Sequence, residues 1–67
     1  MKLVINGDII EVPNTVETIS NLLQHFELEK KVVIVEWNNT ILEKGSHQET
    51  ILSDGDKVEL VHFVGGG

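Results

Sequence analysis

Only one stretch of this sequence has the period of a helix. Ile19, Leu22, Leu23 and Phe26 stand at i, i+3, i+4 and i+7, which puts all four on one helical face. The other apolar runs are strand-like. With one amphipathic helix to cover a sheet, the chain is restricted to a two-layer α+β arrangement, the helix lying across one sheet face. Thr18 is a suitable N-cap, and Asn14 with Glu17 offers an alternative start; the sequence leaves both open. Glu17 near the positive end of the helix dipole, and Lys30 and Lys31 just beyond the negative end, agree with the helix direction.

Strand signals surround this helix. Lys2 to Asn6 and Ile9 to Val12 flank Asn6-Gly7-Asp8, a pairing that tolerates the positive φ of a tight hairpin turn. Pro13, without an N–H, closes the second run. Lys31 to Trp37 is apolar at consecutive positions, the pattern of a strand covered on both faces for part of its length. Asn38-Asn39 reads as a turn, Thr40 to Leu42 as a short strand and Glu43 to Glu49 as a loop. After Thr50 to Leu52, the turn Ser53-Asp54-Gly55-Asp56 leads into a last strand, Lys57 to Val64. The order is hairpin, helix, strand, short strand, strand. With one helix rather than two, it favours a β-grasp (ubiquitin-like) roll over a βαββαβ arrangement. The expected fold is α+β, a mixed four- to five-stranded sheet with one helix on one face. The expected division is a domain over 1–64 and a flexible glycine tail over 65–67.

A chain of 67 residues buries only roughly 60% of its unfolded surface, so core and function share few residues. It has no cysteine, which excludes disulfides, thiolate metal sites and cysteine nucleophiles. No run approaches the ~20 apolar residues that span a bilayer. Strand-like sequence starts almost at Met1 with no leader, so a cytoplasmic chain is expected. Eleven Asp and Glu against five Lys give a formal net charge of −6. That balance argues against nucleic acid and anionic membranes, and serves solubility or steering toward a basic face on a partner.

The usual catalytic constellations are missing. His25, His47 and His62 are scattered, with no pair at metal-ligand spacing. Ser20, Ser46 and Ser53 stand in no nucleophile-elbow context, and there is no P-loop. Asp54-Gly55-Asp56 reads as turn chemistry rather than a calcium loop. The chain is therefore not expected to be an enzyme, nor to hold a metal or cofactor.

The last strand and its tail differ. Alternation sets Val58 and Leu60 on one face and Val61 and Phe63 on the other. If the first pair meets the helix, the second projects from the uncovered side, where an aromatic fits a partner-docking patch. Gly65-Gly66-Gly67 adds no side chain to a fold, but can thread a narrow channel and present an unhindered carboxylate. A terminal α-carboxyl group ordinarily titrates at about 3.3–3.7, so it is an anion at neutral pH.

These features, with Thr18-Ile19 leading into Leu22-Leu23, Val32 to Glu36 and the whole stretch from Asp54 to Gly67, resemble the ThiS family of thiamine-biosynthesis sulfur carriers over nearly the full chain. The resemblance implies that the Gly67 carboxylate is adenylated by an E1-like adenylyltransferase (ThiF) using ATP and magnesium. Sulfur from cysteine, delivered through a cysteine desulfurase, then gives a thiocarboxylate, and thiazole synthase (ThiG) consumes that sulfur. Gly66 and Gly67 match the family's functional pair. Val61, Phe63, Val64 and Gly65 fall on the expected docking surface of a chain that is monomeric on its own. Two other readings share the fold. The molybdopterin synthase carrier is typically longer, with a proline-bearing segment before its Gly-Gly, whereas the only proline here is Pro13. A ubiquitin-like protein modifier would be marked by isopeptide-linked conjugates.

Overall fold

The computed structural model describes residues 1–62. Strands β1 (Lys2–Ile5) and β2 (Asp8–Glu11) form the first hairpin. Ile5 pairs with Asp8, leaving a two-residue loop in which Asn6 and Gly7 both have positive φ, as the sequence predicts. Helix α1 (Ile19–His25) follows, then β3 (Val33–Trp37), β4 (Thr40–Leu42), a single 3₁₀ turn at Lys44–Ser46, and β5 (Lys57–His62). The sheet order is β2-β1-β5-β3-β4, with β5 parallel to β1 and antiparallel to β3. This is the mixed five-stranded sheet with one helix of a β-grasp roll. Thr50 to Leu52 is not a strand; Ile51 makes only an isolated bridge to Thr18.

Of the two helix starts, Thr18 is the one used. Its hydroxyl accepts from the Asn21 N–H at 3.1 Å, and the Asn21 side chain accepts from the Thr18 N–H at 3.1 Å, a reciprocal box. The Ile19 and Ser20 N–H groups donate to the carbonyls of Thr50 and His47, so the first turn leaves no orphan donor there. At the other end, Glu27 N–H donates to the Gln24 carbonyl and Leu28 N–H to the Leu23 carbonyl, a Schellman closure. Glu27 therefore sits at φ 59, where glycine is the residue without a Cβ penalty. Glu27→Gly is expected to stabilise the domain by about 0.5–1 kcal/mol in urea denaturation. A loss of stability would show that the Glu27 side chain makes compensating contacts.

One side of the sheet carries the core. Leu3 and Ile5 of β1, Val35 of β3 and Val58 and Leu60 of β5 meet Ile19, Leu22 and Leu23 of α1, with Val12, Val16 and Leu52 closing the rim. The Asp54-Gly55-Asp56 turn performs the turn chemistry read from sequence. Asp54 accepts from Lys2 N–H at 2.7 Å. Asp56 accepts from Trp37 Nε1 and Ser53 N–H, each at 2.9 Å, and from Asn38 Nδ2 at 3.2 Å.

Candidate functional site

The sheet places β5, the last strand before the glycines in sequence, at its centre. β1 pairs with β5 only as far as Ile5 opposite Val58, where the first hairpin turns away. Asn6 continues the ladder by side chain: its Oδ1 accepts from Leu60 N–H at 2.8 Å and its Nδ2 donates to the Leu60 carbonyl at 3.2 Å. Asn38 acts similarly near the other end, accepting from Lys57 N–H at 2.9 Å. The strand that delivers the terminus is thus held by backbone and side chains together.

Val58 and Leu60 face the helix, and Val61 lies on the open face at 54% exposure, as alternation requires. Phe63, Val64, Gly65, Gly66 and Gly67, and with them the proposed boundary between domain and tail, lie outside the described residues. Register sets Ile34 opposite Val61 and Ile41 opposite Glu36, and these isoleucines are 44% and 69% exposed. The expectation that β3 is covered on both faces is therefore corrected. Val35 is buried, but Ile34 and Val32 are exposed, because the single helix covers only one side. The signal for Ile34 was in the sequence: consecutive apolar residues beneath one helix must send alternate members to the open face.

Glu36 and Glu59 face one another directly across β3 and β5, on the same side as Val61. Like charges opposite each other destabilise a strand pair.

The histidines are dispersed. His25 packs edge-on to Phe26 with ring centroids 5.1 Å apart, and His62 is exposed at the end of β5. His47 is buried at 7% exposure, and its Nε2 has no hydrogen-bond partner among the described residues. Burial, and secondarily the Lys44 ammonium, push His47 below its ordinary value of 6.5. For Asp56, partial burial pushes the carboxyl up but is outweighed by hydrogen bonds from Ser53, Trp37 and Asn38, which bring it below 3.8. Both folded values are depressed, so acid favours the unfolded chain, which binds the extra proton. Stability is expected to decline from about pH 6.5 downward through His47, then again below about pH 3.8 through Asp56. In urea titrations His47→Gln should remove the first decline; an unchanged slope between neutral and mildly acidic pH would contradict the assignment.

A small β-grasp domain with an exposed apolar patch on its central strand, and a sequence that ends in glycines, has the features of the ubiquitin-like carrier class. A model of the ThiS family matches residues 3–67. The chain is 45% identical over 65 residues to the sulfur carrier protein ThiS of Bacillus subtilis, covering 97% of this chain and 98% of that protein. It is 40% identical over 67 residues to a thiazole synthase of Paramagnetospirillum magneticum, covering all of this chain but 20% of the synthase. The crystal structure of the thiamine biosynthesis protein ThiS from Geobacter metallireducens superposes with a TM-score of 0.82 at 33% identity, each chain covered in full. The chain belongs to the ThiS family.

Proposed function

We propose that this chain is a sulfur carrier for the thiazole of thiamine, acting in the cytoplasm as a protein co-substrate rather than a catalyst. The Gly67 carboxylate attacks the α-phosphorus of ATP on an E1-like adenylyltransferase that supplies magnesium, releasing pyrophosphate. The terminal sulfur of a persulfide, formed from cysteine by a desulfurase, then displaces AMP to give an acyl disulfide. A second thiol attacks its distal sulfur, leaving a disulfide and releasing the thiocarboxylate that donates to thiazole synthase. The carrying observation is the near full-length match to the Bacillus subtilis carrier. The stretch of thiazole synthase that resembles this chain supports a synthase of that kind as partner.

Magnitudes are consistent with docking through the open face. Ordering each terminal glycine in a partner's channel costs roughly 1–2 kcal/mol. Fully burying a Val or Ile side chain gives about 1.5–3 kcal/mol, and Ile34, Ile41 and Val61 still expose about half of theirs or more. Three such side chains offset the ordering of the tail only in part, and Phe63 and Val64 are assigned to the same surface to complete it.

Pyrophosphate exchange into ATP, catalysed by the adenylyltransferase, tests the first step. Exchange should require this chain. Val61→Asp should raise the half-saturating carrier concentration about tenfold or more with the fold intact, since a buried unpaired carboxylate is costly. Exchange that ignores the carrier, or saturates equally with both forms, would refute the proposed activation.

A further inference from the structure

Three of the chain's five lysines converge on one concavity outside the transfer site. An open cleft of about 480 Å³ lies between the C-terminal half of α1, the segment leading into β3, and the loop around the 3₁₀ turn. Lys30, Lys31 and Lys44 line it, as does the buried His47. The geometry points to a binding site for the phosphate dianion of a small phosphorylated molecule, held by Lys30, Lys31 and Lys44 in the cleft walled by His47.

Charge is the first argument. The chain has eleven Asp and Glu side chains, yet among them Glu29 alone lines this cleft, and Lys30, Lys31 and Lys44 form no ion pair among the described residues. Three lysines less one glutamate leave the lining at +2, with His47 neutral. A phosphate monoester carries about −1.5 to −2 at neutral pH, which matches that excess. An acidic protein that concentrates its cations in a hollow has made a local exception to its own field.

Donors and shape are the second. Ser20 and Gln48 bring neutral donors to the same wall, while Leu23 and Val33 supply an apolar side for the body of the ligand. The volume lies within the range of roughly 300–1,000 Å³ typical of small-molecule sites. Convergence on a hollow favours a compact anion over an extended acidic peptide, which would need cations spaced along a ridge.

His47 is the third. A buried ring nitrogen without a partner is an unfavourable feature that native structures seldom leave unexplained. The neighbouring Lys44 and Gln48 side chains are exposed, and an anion held by Lys44 would bring an acceptor toward the His47 ring. Location adds a link to the terminus: Val33 stands opposite His62, so the cleft opens at the end of the sheet where β5 runs toward the glycines. A phosphate compound there would lie on the helix side of the strand end whose open face carries Val61.

Titration of ¹⁵N-labelled protein with inorganic phosphate, against chloride at matched ionic strength and pH, tests this. Saturable amide shifts are expected at Ser20, Lys31, Val33, Lys44 and His47, with saturation in the low millimolar range. The double variant Lys31→Gln/Lys44→Gln should weaken binding about tenfold or more, and Lys2→Gln should leave it unchanged. Both substitutions fall on exposed side chains, so an unaltered spectrum elsewhere verifies folding. Shifts that never saturate, that chloride reproduces, or that Lys2→Gln reduces as strongly would overturn the proposal.

Discussion

Removing Gly66 and Gly67 is expected to abolish sulfur transfer and leave the unfolding midpoint within about 1–2 °C of the parent chain. The physical basis is a separation of chemistry from folding. Every buried apolar residue of the described domain falls between Leu3 and Leu60, and the final strand is tied down through Asn6, Asn38 and the β3 ladder before the terminus is reached. Glycine contributes no side chain to packing, so its removal deletes no core contact. The reaction, by contrast, needs the Gly67 carboxylate at the depth of a partner's active centre. Losing two residues withdraws the new carboxylate by up to roughly 7 Å along an extended chain. A misplacement of even 1 Å can cost about a hundredfold in rate. Transfer measured as thiazole formed per carrier should fall below detection. Substantial remaining transfer, or a midpoint that drops by many degrees, would contradict this separation.

Leu22→Ala is expected to have the opposite profile, with the largest effect on folding. Leu22 is fully buried on the helix face that covers the sheet. Replacing a buried leucine by alanine costs about 2–5 kcal/mol through lost transfer energy and the cavity left behind. A domain of this size has roughly 3–10 kcal/mol in total. A fall in the midpoint of about 10–30 °C follows from the steep dependence in small domains. Thermal melts followed by circular dichroism provide the check. A shift of only a few degrees would mean that the helix face repacks around the gap, and that the stripe Ile19, Leu22, Leu23 is less central than its burial indicates.

Features with a local cause could be read from sequence. The Asn6-Gly7 turn is a property of two adjacent residues, and the period of Ile19, Leu22, Leu23 and Phe26 is a property of one short segment. The order of these signals favoured the β-grasp roll, which the sheet order bears out. The exposed Val61 followed from alternation along a single strand. What escaped depends on distant partners. That Asn6 and Asn38 splint β5 through their side chains cannot be inferred from either neighbourhood, since each reaches residues far along the chain. Glu27 in a left-handed conformation gives no sequence signal, because glycine is the residue expected there. His47 lay in a polar stretch read as loop; its burial comes from that loop docking against the start of α1, through the hydrogen bond from Ser20 N–H to its carbonyl at 3.0 Å. The lysine cleft likewise exists only once α1, β3 and that loop meet.

The central claim is that sulfur is carried on the Gly67 carboxylate, and intact mass spectrometry with C-terminal fragmentation tests it most directly. The chain would be incubated with the adenylyltransferase, ATP, magnesium, a cysteine desulfurase and cysteine. Fragmentation is needed because oxidation of Met1 nearly equals the mass change of replacing oxygen by sulfur. The account predicts a shift of about 16 Da confined to the fragment containing Gly67, with the further mass of the alkyl group added there when an alkylating agent captures the thiocarboxylate. An unmodified Gly67 in the presence of an adenylyltransferase proven active on another carrier would contradict it, and Gly67 joined to lysine in an isopeptide bond would reassign the chain as a protein modifier.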